Sequence, residues 1–194
     1  MKALTIWPEW SWAFSHLGKR IENRGWEPPQ YLGGKQFCLH AGQRVGGVYL
    51  VGKDGLPKPK VGKTRHVEFF DCFIKVVNMA RLAGFRFNCV GLQDGRLGYE
   101  ITYGLFRWLF YYDEIPYGKL FAVATLGGGV YQNDSPWFIP GKCGWVLEEL
   151  KFLKKPVLAK GSRKLWDIKE EAEREVVEQI EQGEYLTFLS RLRC

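Results

Sequence analysis

Apolar and polar positions alternate along residues 2–7, KALTIW, with Leu4 and Ile6 on one side and Ala3, Thr5 and Trp7 on the other, which is the period of a half-buried β-strand. Pro8 stands where a helix begins. Residues 9–17 carry Trp10, Ala13, Phe14 and Leu17 at helical spacing, so a short amphipathic helix ending at Gly18 is expected. After turns set by Gly25, Pro28, Pro29, Gly33 and Gly34, the run QFCLHA at 36–41 reads as a second strand. YGKLFAVATL, 117–126, reads as a buried strand, and GKCGWVLEELKFL, 141–153, as another that residues 156–159 continue.

The remaining segments have weaker patterns. Residues 66–83 lack breakers and predict a helix closed by Gly84, whereas 98–114, GYEITYGLFRWLFYYDE, are too aromatic and irregular to assign. LGGGV, 126–130, has neither the Lys-Ser/Thr of a phosphate loop nor the spacing of a dinucleotide fingerprint, and reads as a turn. Residues 43–65 combine Gly46, Gly47, Gly52, Gly55, Gly62, Pro57 and Pro59 with Lys53, Lys58, Lys60, Lys63 and Arg65, the composition of a mobile basic loop. In the tail, Ala172, Val176, Val177 and Ile180 share a helical face. Gly183 then breaks the pattern before Tyr185, Phe188, Leu189 and Leu192, so two helices are expected to pack on the body or on a second copy of the chain. No repeat is visible, and the strands are separated by loops and inserted helices instead of regular βαβ units. That favours an α+β fold built on a small mixed β-barrel over a parallel sheet.

Composition narrows the setting. With 46% hydrophobic and 15% aromatic residues, the 194-residue chain can build a core of its own. It holds no apolar run near the ~20 residues of a membrane span, and its start lacks the features of a signal peptide. A soluble, intracellular, cytoplasmic protein with no membrane partner is the expectation. Five cysteines without CxxC spacing suggest reduced packing residues. Cys38 and His40 alternate along one strand, but without a second ligand pair no metal site is expected, and no cofactor motif stands out. The net charge is +7, yet residues 169–194 carry −3, so the first 168 carry +10. Such a body suits a polyanion, because Lys and Arg displace condensed counterions from phosphates.

The candidate chemistry lies in GKRIENRGW, residues 18–26. Run extended, this stretch puts Arg20, Glu22 and Arg24 on one face and Ile21 and Asn23 on the other. A carboxylate between two guanidinium groups can order their forks and leave donors for a phosphate or a base edge. Lys19 adds a compact cation, and Trp7, Trp10 and Trp26 can supply a stacking wall. A solvated ion-pair row would show the same spacing, so spacing alone leaves both readings open.

A resemblance adds to this reading. The run 3–26, with Trp7, Pro8, Trp10, Gly18, Lys19, Glu22 and Arg24, resembles the amino-terminal signature of ASCH domains, members of the PUA-like β-barrel superfamily. Residues 144–168, with Lys160, Gly161, Leu165 and Trp166, resemble the closing strand pair of that family, and 33–42 and 117–126 fit the barrel strands between. The chain departs from the pattern in having Pro8 directly after Trp7, a long insertion at about 43–114, and a C-terminal helical extension at 169–194 beyond the 1–168 domain. The resemblance implies a PUA-like small mixed β-barrel with peripheral helices that binds RNA, another nucleic acid or a modified nucleoside. The implied cleft is lined by Lys19, Glu22 and Arg24, with Arg20 beside them, Trp7 or Trp26 stacking, and Lys160 entering from the far strand pair. The basic loop would add phosphate contacts.

Two other classes stand beside this reading. Some ASCH proteins hydrolyse acylated cytidine with a Lys and a Thr three residues later. Here Lys19 holds the first position and Glu22 the second, so an amidohydrolase would need Lys19 as base or nucleophile with Glu22 or Glu148 moving protons, and a metal-independent ribonuclease would use the same residues. His40 is better placed as a core histidine than as the acid or base of such chemistry. The third class is an interaction module, assembling as a homo-oligomer through residues 169–194.

Overall fold

The computed structural model describes residues 1–43, 49–51, 57–59, 75–91, 97–111 and 115–187. In chain order the elements are β1 (Lys2–Ile6), α1 (Pro8–His16), β2 (Ile21–Arg24), β3 (Gln36–Ala41), β4 (Tyr49–Val51), β5 (Pro57–Pro59) and a helix α2 whose described part covers 75–82. They continue with β6 (Arg86–Gly91), β7 (Leu97–Tyr103), β8 (Phe106–Tyr111), β9 (Lys119–Val130), β10 (Cys143–Leu158), β11 (Leu165–Asp167), α3 (Glu170–Glu181) and β12 (Tyr185–Leu186). The fold is mixed α+β. Its centre is a curled half-barrel sheet in the order β11-β1-β3-β9-β10-β12, with β2 also pairing β10. Only β1 and β3 run parallel; the other pairs are antiparallel.

Alternation along the strands divides the core as the sequence pattern suggests. Leu4 and Ile6 of β1 join Phe37, Leu39, Trp145, Phe152 and the helix residue Phe14 inside the curl. Ala3 points the other way, to a smaller cluster with Cys38, Val123, Leu153 and Val157 that Val176 of α3 covers. The α1 helix is less amphipathic than its sequence implies. Glu9, Ser11, Trp12 and Ser15 are buried along with the apolar stripe. The reason is a second covering layer: Trp12, Ala13 and Leu17 pack against Val76, Val77 and Ala80 of α2, Phe85, and Ile101 of β7. The insertion thus roofs α1. Its described parts are the β4–β5 pair, where a mobile loop is expected from composition, α2, and the three-stranded sheet β6-β7-β8. The stretch with no legible period is the β7–β8 hairpin, turning at Gly104 with φ +57°. Residues 60–74 lie outside the described part, and with them the first half of the expected helix.

Two further expectations are corrected. Gly127, Gly128 and Gly129 belong to β9, not to a turn, with Gly129 opposite Trp145. A Cβ at Gly129 would stand 2.8 Å from Pro28 and 3.0 Å from Cys143 Sγ, so the glycine lets the 28–29 segment lie on the sheet. The tail is not two helices as far as residue 187. After α3, Tyr185 and Leu186 pair with Leu153 and Phe152 as an edge strand, and the rest lies outside the described residues. The α3 helix packs on β10 of the same chain. Among the described residues no helix is long and apolar enough to cross a membrane.

Candidate functional site

The α1 helix ends at Gly18, whose φ of +66° suits glycine, and the Lys19 N–H returns 3.2 Å to the Ala13 carbonyl. This bend turns Lys19 back beneath the helix. Its ammonium donates to the Ile21 carbonyl, lies 5.0 Å from the Trp10 ring centre and 4.8 Å from that of Phe14, and has Glu22 Oε2 at 3.8 Å. The residue is 1% exposed. Lys19 therefore does not line a cleft, which corrects the expectation: ring faces, a carbonyl and a carboxylate compensate its charge inside the fold.

β2 leaves this point antiparallel to β10, with Glu22 opposite Trp145 and Arg24 opposite Cys143. The expected alternation is present. Asn23, on the opposite face, donates to the Trp137 carbonyl and accepts from the Ile139 N–H, both at 2.8 Å. Glu22 is buried and forms an ion pair with Arg24 Nη2 at 3.1 Å; the same Nη2 donates to the Thr5 carbonyl at 2.8 Å. Arg24 Nε is buried with no hydrogen-bond partner among the described residues. Arg20 is half-buried with its Nη1 equally unpartnered, and burial holds its pKa below the usual arginine value.

Arg24 opens onto a recess of about 380 Å³. Its walls come from Thr5 to Pro8, from Arg24 and Trp26, from Gly42 and Gln43 after β3, and from Ser162, Arg163 and Lys164 in the turn before β11. Strand pairing explains the location. β11 accompanies β1 only as far as Leu4, and β2 pairs with β10 rather than β1, so a seam opens beyond Leu4 and Arg24 reaches across it to Thr5. The volume lies toward the lower end of the ~300–1,000 Å³ common for small-ligand pockets. Arg24, Arg163 and Lys164 are cationic, Trp7 and Trp26 are aromatic, and none of the described lining residues is a carboxylate.

A buried network seats the 159–164 turn. The Trp166 indole donates to Thr5 Oγ1 at 3.0 Å, the Thr5 hydroxyl lies 3.2 Å from His40 Nδ1, and His40 Nε2 lies 3.1 Å from the Ala159 carbonyl. Of the two neutral tautomers only one satisfies all three: Nε2 carries the hydrogen and Nδ1 accepts from Thr5. Burial pushes the His40 pKa below its usual value and keeps the ring neutral. Gly161 sits directly on this ring. A Cβ there would be 2.3 Å from His40 Cε1 and 2.9 Å from Thr5 Oγ1.

Searches of protein-family models and of curated proteins each return no match.

The residues singled out from sequence thus divide into three sets. Trp7, Arg24 and Trp26 come together in the recess. Glu22 stands behind Arg24 and Lys19 behind Glu22, a chain of charges running inward. Arg20 and Lys160 are not among the lining residues, and Lys160 is exposed at the start of the turn. Trp10 packs over Lys19 instead of facing the recess. Glu148 is exposed on β10, above Gly127. His40 is buried and hydrogen-bonded. Cys38 contacts Met1 Sδ in the cluster beneath α3, its thiol pushed up to about 12 by burial. The basic side chains of 53–65 lie outside the described residues. Sequence reasoning missed Thr5, Gln43, Ser162, Arg163 and Lys164; the one signal for the last three was two basic residues just after a Lys-Gly pair.

Proposed function

We propose that this chain is a nucleic-acid-binding protein of the PUA-like ASCH type, which receives RNA or a modified nucleoside in the recess between β1, β2 and the 159–164 turn. One observation carries the reading: among the described residues, three cationic side chains and two tryptophans surround an open recess and no carboxylate lines it. That pairing of charge with stacking surface is what an unpaired nucleotide needs, phosphate contacts giving affinity and a ring face holding the base. The motif resemblance supports the same reading, since Trp7, Arg24 and Trp26 of the amino-terminal run stand at this recess. Lys19, sealed under Trp10 and Phe14, takes no part in ligand contact here and supports Arg24 through Glu22. An amidohydrolase or ribonuclease working through its amine would first have to open the core.

The test is titration of a single-stranded RNA against Arg24→Ala and Trp7→Ala, with a thermal melt of each variant to confirm folding. Each should lose about tenfold in affinity, the order expected for one charged contact or one stacked base. Unchanged affinity in both folded variants would remove the proposal.

A further inference from the structure

We propose that the 160–164 turn is a phosphate-binding jaw, so that the recess selects a phosphorylated nucleotide unit over the corresponding nucleoside. This rests on the binding reading above and decides a point which that reading leaves open. Three observations carry it. First, the turn is seated: Gly161 lies against His40 and Thr5 with no room for a side chain, and Ala159 is tied to His40 Nε2 and, through its N–H, to the Gly118 carbonyl at 3.1 Å. The segment that presents Ser162, Arg163 and Lys164 is therefore fixed to the barrel wall.

Second, Lys164 has φ +59°, the one non-glycine left-handed residue among those described. A lysine gains nothing locally from that conformation, and strained backbone of this kind gathers where a binding site over-determines it.

Third, Arg24 engages Glu22 and Thr5 through its Nη2, while its buried Nε has no hydrogen-bond partner among the described residues. Arg24 and the cations at 163 and 164 border one recess, and none of its described lining residues is an acid. Glu22 stands behind Arg24, but a neutral nucleoside would offer the exposed Arg163 and Lys164 no counter-charge. A phosphate, carrying −1 as a diester and close to −2 as a monoester at neutral pH, supplies that charge and accepts from Arg in its fork geometry.

The experiment titrates the intact protein, by tryptophan fluorescence, with the four nucleosides, their 5′-monophosphates and a short unphosphorylated single-stranded RNA that has only diester phosphates. It is repeated on the double variant Arg163→Gln with Lys164→Asn, in which asparagine tolerates the left-handed backbone. At least one monophosphate, or the RNA, should bind the parent tenfold or more tighter than the matching nucleosides. The double variant should lose that advantage, its affinity for the phosphorylated ligand falling to within about twofold of its own affinity for the matching nucleoside. Tighter binding of the strand than of the monomers assigns the phosphate to a chain, and the reverse to a free nucleotide. Equal affinity of nucleoside and nucleotide, or RNA binding that the double variant leaves intact, overturns the jaw and spares the binding function. Binding of none of these ligands overturns both.

Discussion

At His40 one buried ring ties the recess to pH. In its neutral form the bond to the Ala159 carbonyl puts the proton on Nε2, and burial depresses its folded-state pKa below the usual ~6.5, outweighing the backbone hydrogen bonds that favour the charged ring. The unfolded chain therefore takes up a proton before the folded one does. The stability contributed by the neutral ring is whole above about pH 6.5 and is lost as pH falls below that toward the folded value, at a slope of up to about 1.4 kcal/mol per pH unit. Carboxylates add their own dependence at lower pH, so the comparison is with His40→Gln. Thermal melts from pH 8 to pH 5 should show a steeper fall between 6.5 and 5 for the parent; parallel curves would mean that the ring does not titrate with folding. The same residue shows what was legible at this scale. Trp7, Arg24 and Trp26 are close in sequence, so local spacing brought them forward. Thr5, His40 and the 162–164 turn meet only because β1 lies between β3 and β11, a pairing that no local pattern specifies.

At the scale of elements, α3 repairs a defect in β10. The β9–β10 register breaks between Phe152 and Val157, where Pro156 has no N–H to give. Gln179 fills the gap as a substitute strand: its Oε1 accepts from the Lys155 N–H at 3.1 Å and its Nε2 donates to the Lys155 carbonyl at 3.0 Å. Gln179→Ala removes both bonds beside the cluster that Val176 covers, and should cost about 2 kcal/mol at ~1 kcal/mol per bond. Urea denaturation measures this, and hydrogen exchange at the Lys155 amide should quicken with it; an unchanged midpoint would make the pairing incidental. The docking also places α3 among the elements of the half-barrel, where composition pointed equally to a second copy. β3, β9 and β10 were readable because each is buried and follows the strand period. The β7–β8 hairpin was not, since its aromatics run without a period, and Tyr185–Leu186 was not, because edge pairing with β10 overrides the helical spacing of Tyr185, Phe188, Leu189 and Leu192.

For the whole molecule, the question is how much of the +10 carried by the first 168 residues acts through the recess. Among the described residues three cations line it, Arg24, Arg163 and Lys164. The acidic α3 packs on β10 in the cluster with Val123, Leu153 and Val157, whereas the recess opens at the seam between β1 and β2, so its glutamates are not among the recess residues. For a single strand, each neutralised phosphate contributes about −0.7 to the slope of log affinity against log salt. Three contacts therefore predict a slope near −2 for single-stranded RNA titrated between 50 and 200 mM KCl. Arg24→Ala should reduce its magnitude by somewhat less than one, because one contact is lost and the field of the others stays. A slope of −4 or steeper, unmoved by Arg24→Ala, would assign most phosphate contacts to other basic side chains, those of 53–65 first among them. The recess would then recognise a base while affinity came from elsewhere.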